Sequence, residues 1–174
     1  MGASRWIDVP RADGGHFQVQ DWEQVRSLLQ LLELSRPTSV AVISPFKEVV
    51  RALSRRVEDE IRRLLPPDVS AEHAEKIGSS VRVGTIHTFQ GQERSSVVLV
   101  LGGGKPGARE WAARTPNLIN VAVTRAKDRL YVVGDFDAWS GVGHAAELAA
   151  RLPRVGAHGA RIRDDGGLDP TPPG

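Results

Sequence analysis

The sequence contains no cysteine. Disulfide scaffolds, thiolate zinc sites, iron–sulfur clusters and thiol nucleophiles are excluded together. Aromatic residues make up only 5% of the 174 positions, thin material for stacking nucleic-acid bases. The longest apolar run, Val97 to Leu101, is far shorter than the roughly 20 residues of a membrane-spanning helix. The N-terminal residues hold no apolar core for a secretion signal, and Trp6 stands where a myristoylation motif requires Ser or Thr. A cytoplasmic location, with no membrane partner, is expected. His16, His73, His87, His144 and His158 show no paired spacing for a metal. No Gly-x-Ser-x-Gly nucleophile elbow occurs either. No metal site is expected.

What is present is ordinary for one globular domain: 40% hydrophobic and 25% charged residues, with a net charge of +2. Of 23 basic residues only Lys47, Lys76, Lys105 and Lys127 are lysine, so arginine dominates. Arginine suits bidentate contact with phosphate or carboxylate. Acidic residues are interspersed, however, and charge alone does not choose the partner.

Apolar runs at Trp6 to Val9, Val40 to Ile43, Val81 to Val83, Val97 to Leu101 and Leu130 to Val133 read as strands. Between them lie helical patterns. The first starts near Asp21, with Asp21 and Gln24 at capping-box spacing. The second follows Ser44-Pro45, a cap and first-turn pair, and carries Phe46, Val49, Val50, Leu53, Val57, Ile61 and Leu64 on one stripe. Asp68 to Ser80 reads as a loop or short irregular helix, and Gly102 to Gly107 as loop. Thr115-Pro116 opens a mostly apolar helix, Asn117 to Ala126, expected to be buried in the domain or at an interface. A last, weaker helix turns Trp139, Val142, Ala146 and Ala149 inward. Residues 1–152 form the expected domain, and 153–174, rich in Gly, Pro and Arg, read as a disordered tail.

Strands alternating with helices predict an α/β domain with a mainly parallel sheet. Ligands in such sheets bind beyond the strand carboxyl ends. That expectation singles out Ser44 to Lys47, Thr85 to Glu93, Gly102 to Gly107 and Gly134-Asp135. Gly104-Lys105 after a strand invites a phosphate-loop reading, which fails. Leu99 stands where the loop needs glycine, and Pro106 where it needs the hydroxyl that binds Mg2+.

Two segments are unlike generic core. Val83-Gly84-Thr85-Ile86-His87-Thr88-Phe89-Gln90-Gly91-Gln92-Glu93 places hydroxyls, an amide, a glycine and a carboxylate directly after a strand. Asn117 to Lys127 carries Asn120, Thr124 and Arg125 within an apolar helix. An arginine there needs an anionic partner or a route to solvent, and a salt bridge inside the domain would serve equally.

Together these segments resemble superfamily 1 helicases, in particular the second RecA-like motor domain of the Upf-like branch. The resemblance covers Ser4 to Leu152. Val40 to Phe46 is similar to motif IV, Val83 to Glu93 to motif V through Phe-Gln-Gly-x-Glu, and Asn120 to Lys127 to motif VI through Asn-Val-Ala-x-Thr-Arg-Ala. The resemblance implies a RecA-like fold of the P-loop NTPase superfamily, with a mainly parallel sheet flanked by helices. It further implies that Arg125 is an arginine finger for the nucleotide γ-phosphate, and that Gly91 and Glu93 lie near γ-phosphate and ribose. Ser44, Pro45 and Thr85 would touch the backbone of single-stranded DNA or RNA, with His87 and Gln90 coupling the two sites. His87 stands where relatives often have Asp.

The family's first motor domain supplies the Walker A loop and the acidic Mg2+ motif, neither of which these residues contain. ATP and Mg2+ are therefore expected only together with a Walker A-containing RecA-like domain, in cis or in trans. Two functions stay open at this point. One is half of a helicase or translocase ATPase; the other is a non-enzymatic remnant that binds nucleic acid or a protein without turnover.

Overall fold

In a computed structural model, residues 4–11, 14–32, 39–114 and 116–156 are described. They build a six-stranded sheet in which every neighbouring pair is parallel. The strands are β1 (Arg5–Asp8), β2 (Val40–Ser44), β3 (Val81–Thr85), β4 (Arg94–Val100), β5 (Ala126–Gly134) and β6 (Arg154–Gly156), in the order β3-β2-β4-β5-β1-β6. The helices are α1 (Val19–Leu31), α2 (Lys47–Leu64), α3 (Ala71–Ser80), α4 (Pro106–Arg114), α5 (Pro116–Arg125), α6 (Phe136–Trp139) and α7 (Ala145–Arg151). The α/β expectation holds, and the sheet is wholly parallel among the described residues.

The strands that read as continuous apolar runs occupy the middle of the sheet. All five residues of β2 are buried, as are Ser96 to Val100 of β4. Such strands are apolar throughout because helices cover both faces. Right-handed crossovers put α1 and α2 on one face, since the chain moves from β1 to β2 to β3 in one direction across the sheet. The return through β4, β5 and β6 puts α4 to α7 on the other. Contacts between α1 and α2, and between α4 and α5, agree with that division.

Several local expectations are corrected. The cap of α1 is Gln18, so Asp21 lies inside the helix, fully buried, with Gln18 Nε2 donating to its Oδ1 at 3.3 Å. Phe46, not Ser44, caps α2; Ser44 closes β2, and its Oγ accepts from Phe46 N at 3.3 Å. Residues 71–80 form a regular helix, α3, because Ser70 supplies a side-chain cap to His73 N. Gly102 to Gly107 is loop only as far as Lys105. Pro106 then starts α4, a first-turn position where its missing N–H costs nothing. The last helical stretch is two short helices that bury Trp139, Ala145 and Leu148; Val142 and Ala149 pack against the core as expected, and Ala146 does not.

The domain also extends past Leu152. β6 pairs with β1, and Arg154 Nε donates to Asp8 Oδ2 at 3.0 Å while its guanidinium lies 4.3 Å from the Phe136 ring centroid. The hydrogen bond to Asp8 raises the Arg154 guanidinium above its ordinary pKa. The rest of the expected tail, 157–174, lies outside the described residues, as does Thr115. Among the described residues no helix is long and apolar enough to cross a membrane.

Candidate nucleotide and nucleic-acid sites at two edges of the sheet

A parallel sheet has one edge of strand carboxyl ends and one of amino ends, and the candidate residues divide between them. Ser44 and Thr85 are register partners at the carboxyl ends of β2 and β3. Ser44 is 1% exposed and Pro45 is buried, so this pair shapes the turn into α2 from within. Thr85 is half-buried, and its Oγ1 lies 3.4 Å from Thr88 Oγ1. A 3-10 turn, Ile86–Phe89, follows directly, with His87 and Gln90 exposed.

That turn begins the crossing from β3 over β2 to β4, which here takes no α-helix. Ile86 and Phe89 are its apolar anchors, at 2% and 0% exposed. The turn packs against α5. Gly91, at φ 76, adopts a left-handed conformation that a side chain rarely tolerates; nothing stands within 4 Å of the position a Cβ would take. Its glycine therefore answers to backbone geometry, not space. Glu93 then arrives at the amino end of β4. The expectation that all of Thr85 to Glu93 lies beyond the carboxyl ends is thus corrected: Thr85 stays there, and Glu93 is carried to the opposite edge. The two are separated by the length of β4, seven residues or roughly 20 Å.

At the amino edge Glu93 meets the end of α5. Arg94 of β4 pairs in register with Ala126 of β5, the residue after Arg125. Lys127 Nζ lies 3.0 Å from Glu93 Oε2, with both side chains more than half exposed. Such a pair contributes only ~0–1 kcal/mol to stability and is free to rearrange around a ligand. Arg125 is half-buried, and its Nε is buried without a hydrogen-bond partner. The intradomain salt bridge that would otherwise explain Arg125 is absent among the described residues. α5 is also less buried than its composition suggests: Ile119 and Ala122 are inside, Asn120 and Thr124 are exposed, and Thr124 Oγ1 donates back to Val121 O.

Arg94 is the residue that sequence reasoning passed over. Its Nε is likewise buried and unpartnered, while Nη2 donates to Gln92 Oε1 at 3.1 Å. Burial, and then repulsion from Arg82, push the Arg94 guanidinium below its ordinary pKa. Guanidiniums that repel one another make an edge ready for an anion. The one sequence signal was position, directly after the Phe-Gln-Gly-x-Glu run.

The glycine loop that fails as a phosphate loop has a packing role. Gly102 and Gly103 have φ 57 and 82. Trp139 Nε1 donates to Gly102 O at 3.0 Å and Arg109 Nη1 to Gly103 O at 2.7 Å. A Cβ on Gly104 would sit 2.0 Å from Gly14 O, so the loop before α1 lies directly on this backbone. Among the described residues no three His, Asp or Glu converge as a metal site would require.

No curated protein matches the chain in sequence. Among solved structures, "The crystal structure of T4 UvsW" superposes with a TM-score of 0.48 at 14% identity, covering 90% of this chain and 32% of that one. The chain thus spans about a third of that structure's length. The AAA domain family profile matches residues 13–137, which take in the motif IV, V and VI segments, both sheet edges and the turn that joins them. With well over half of its length matched, the chain belongs to the AAA domain family that comprises superfamily 1 helicase C-terminal domains.

Proposed function

We propose that the chain is the C-terminal motor domain of an ATP-dependent superfamily 1 helicase or translocase, supplying an arginine finger and part of a single-strand track. The observation that carries this reading is Arg125, whose Nε is buried without a partner on an edge already crowded with Arg94 and Lys127. A buried polar group left unpaired is costly and calls for an explanation. The γ-phosphate of a nucleotide held by a first motor domain fits it. Arg125 would set its planar fork against oxygens on which charge builds during transfer. Gly91 and Glu93 would lie toward the γ-phosphate and ribose. ATP supplies the transferable phosphoryl group; its Mg2+ would be held by the Walker A-containing domain, in cis or in trans. Thr85, with Ser44 and Pro45 shaping the neighbouring turn, would follow the backbone of single-stranded DNA or RNA. His87 and Gln90 lie on the segment joining the two edges.

The test is Arg125→Ala in the chain combined with its cognate first motor domain. ATPase should fall by about 10³-fold or more, the scale of an arginine finger. The melting temperature and single-strand affinity should change little. Arg125→Lys should also be poor, because an ammonium lacks the planar fork. A variant that melts early while its folded fraction hydrolyses ATP at the original rate would overturn the finger.

A further inference from the structure

In a doubly wound sheet, ligands bind outside the carboxyl ends of adjacent strands whose following helices lie on opposite faces. This sheet has two such points among the described residues, β1–β5 and β2–β4. The first is closed by the chain itself. Val9 N and Trp6 Nε1 donate to Gly134 O at 3.1 and 2.9 Å, Arg11 N donates to Asp135 Oδ2 at 2.9 Å, and Phe136 N donates to Asp8 Oδ1 at 2.9 Å.

The second is covered by the loop before α1, with Gly14 O against Gly104 and His16 O against Gly102, and presents rings at its surface. Phe46, just past β2, is stacked by His16 with centroids 4.3 Å apart and planes 11° from parallel. Trp111 of α4 reaches the same Phe46, with centroids 6.4 Å apart. Phe46 is 8% exposed, whereas Trp111 is 57% exposed. An indole recruited only for packing would be covered, as Trp6 and Trp139 are at 0% exposed. Two exposed lysines lie near, Lys47 directly after Phe46 and Lys105 before α4, with exposed Glu48 beside Lys47. Of the nearby carboxylates, Glu110 is occupied by Arg114 at 3.7 Å. Thr85 lies two strand spacings away, roughly 10 Å, so one oligonucleotide can reach both.

We infer that Trp111, backed by Phe46 and His16, is a base-stacking platform for single-stranded DNA or RNA at the β2–β4 crevice. The inference rests on the reading of the carboxyl edge as a single-strand track. It adds a base contact where that reading has only backbone contacts. Scarce aromatics do not preclude this, because one exposed indole suffices for one base.

The full chain is titrated with oligothymidylate and oligouridylate, intact and with abasic positions, following tryptophan emission and the anisotropy of a labelled strand. Intact strands should quench emission, and Trp111→Phe should remove most of that quench while keeping most of the affinity. Trp111→Ala should weaken binding about 5- to 150-fold, the range of one lost stack. It should lose nothing further on abasic strands. The deoxy or ribo strand that binds more tightly identifies the sugar, and either supports the platform. If Trp111→Ala binds intact strands as the unmodified chain does, the platform is wrong and the track survives. If the unmodified chain binds no single strand at all, both fall.

Discussion

Gly103 carries its constraint in two ways. Its φ of 82 is left-handed, and an added Cβ would meet Trp139 Cζ2 at 2.6 Å and Arg109 Cγ at 2.7 Å. Gly103→Ala should therefore lose at least about 1–3 kcal/mol, the cost of a non-glycine residue held in that region. Chemical denaturation measures it, and a loss below a few tenths would show that the loop relaxes freely. Arg94 makes the opposite case. It is desolvated and repelled by Arg82. Arg94→Ala should leave unfolding free energy within about 0.5 kcal/mol of the original. The same change should weaken nucleotide-dependent association with a first motor domain. A clear loss of stability would mean that Arg94 is a structural residue.

Among the elements, the segment from the 3-10 turn to Glu93 has the most to hold with the fewest residues. It spans the sheet with only short turn hydrogen bonds, Gln90 N donating to His87 O and Gln92 N to Phe89 O, so Ile86 and Phe89 must fix it by packing. Phe89→Ala should cost about 3–5 kcal/mol by leaving a cavity at a fully buried position. A shallow thermal shift would show that the crossing is pinned elsewhere. Elements buried on both faces were legible in advance: Val40 to Ile43 and Val97 to Leu101 could be little but central strands. α4 was not, because Pro106-Gly107 resembles a turn and its apolar residues are few. The ring cluster was hidden for another reason. His16, Phe46 and Trp111 are distant in sequence, and only the sheet order brings their three connections together. The resemblance likewise implied roles for Thr85 and Glu93 but not that they stand at opposite edges, which depends on the path between β3 and β4.

For the molecule as a whole, that separation means the two edges should be separable by mutation. Arg125→Ala should lower ATP turnover of the chain combined with a first motor domain and leave single-strand affinity nearly intact, while Trp111→Ala should lower single-strand affinity and leave that turnover nearly unchanged. Sites this far apart with no shared partners usually behave additively. Single-strand binding by the domain alone should also be gently salt-dependent. Two or three phosphate contacts give a log–log slope of about −1 to −2. A much steeper slope would require a longer basic path than the carboxyl edge offers.

The position of β1 between β5 and β6 has a consequence for time. Trp6 finds its partner carbonyl 128 residues further along, at Gly134, and β1 has no strand beside it until β5 exists. On a ribosome adding roughly 5–20 residues per second, the first strand waits on the order of ten seconds. Through that interval Trp6 and Ile7 are side chains without a core, and β2, β3 and β4 can assemble before them. Among the described strands β6, Arg154–Gly156, emerges last and then pairs with β1.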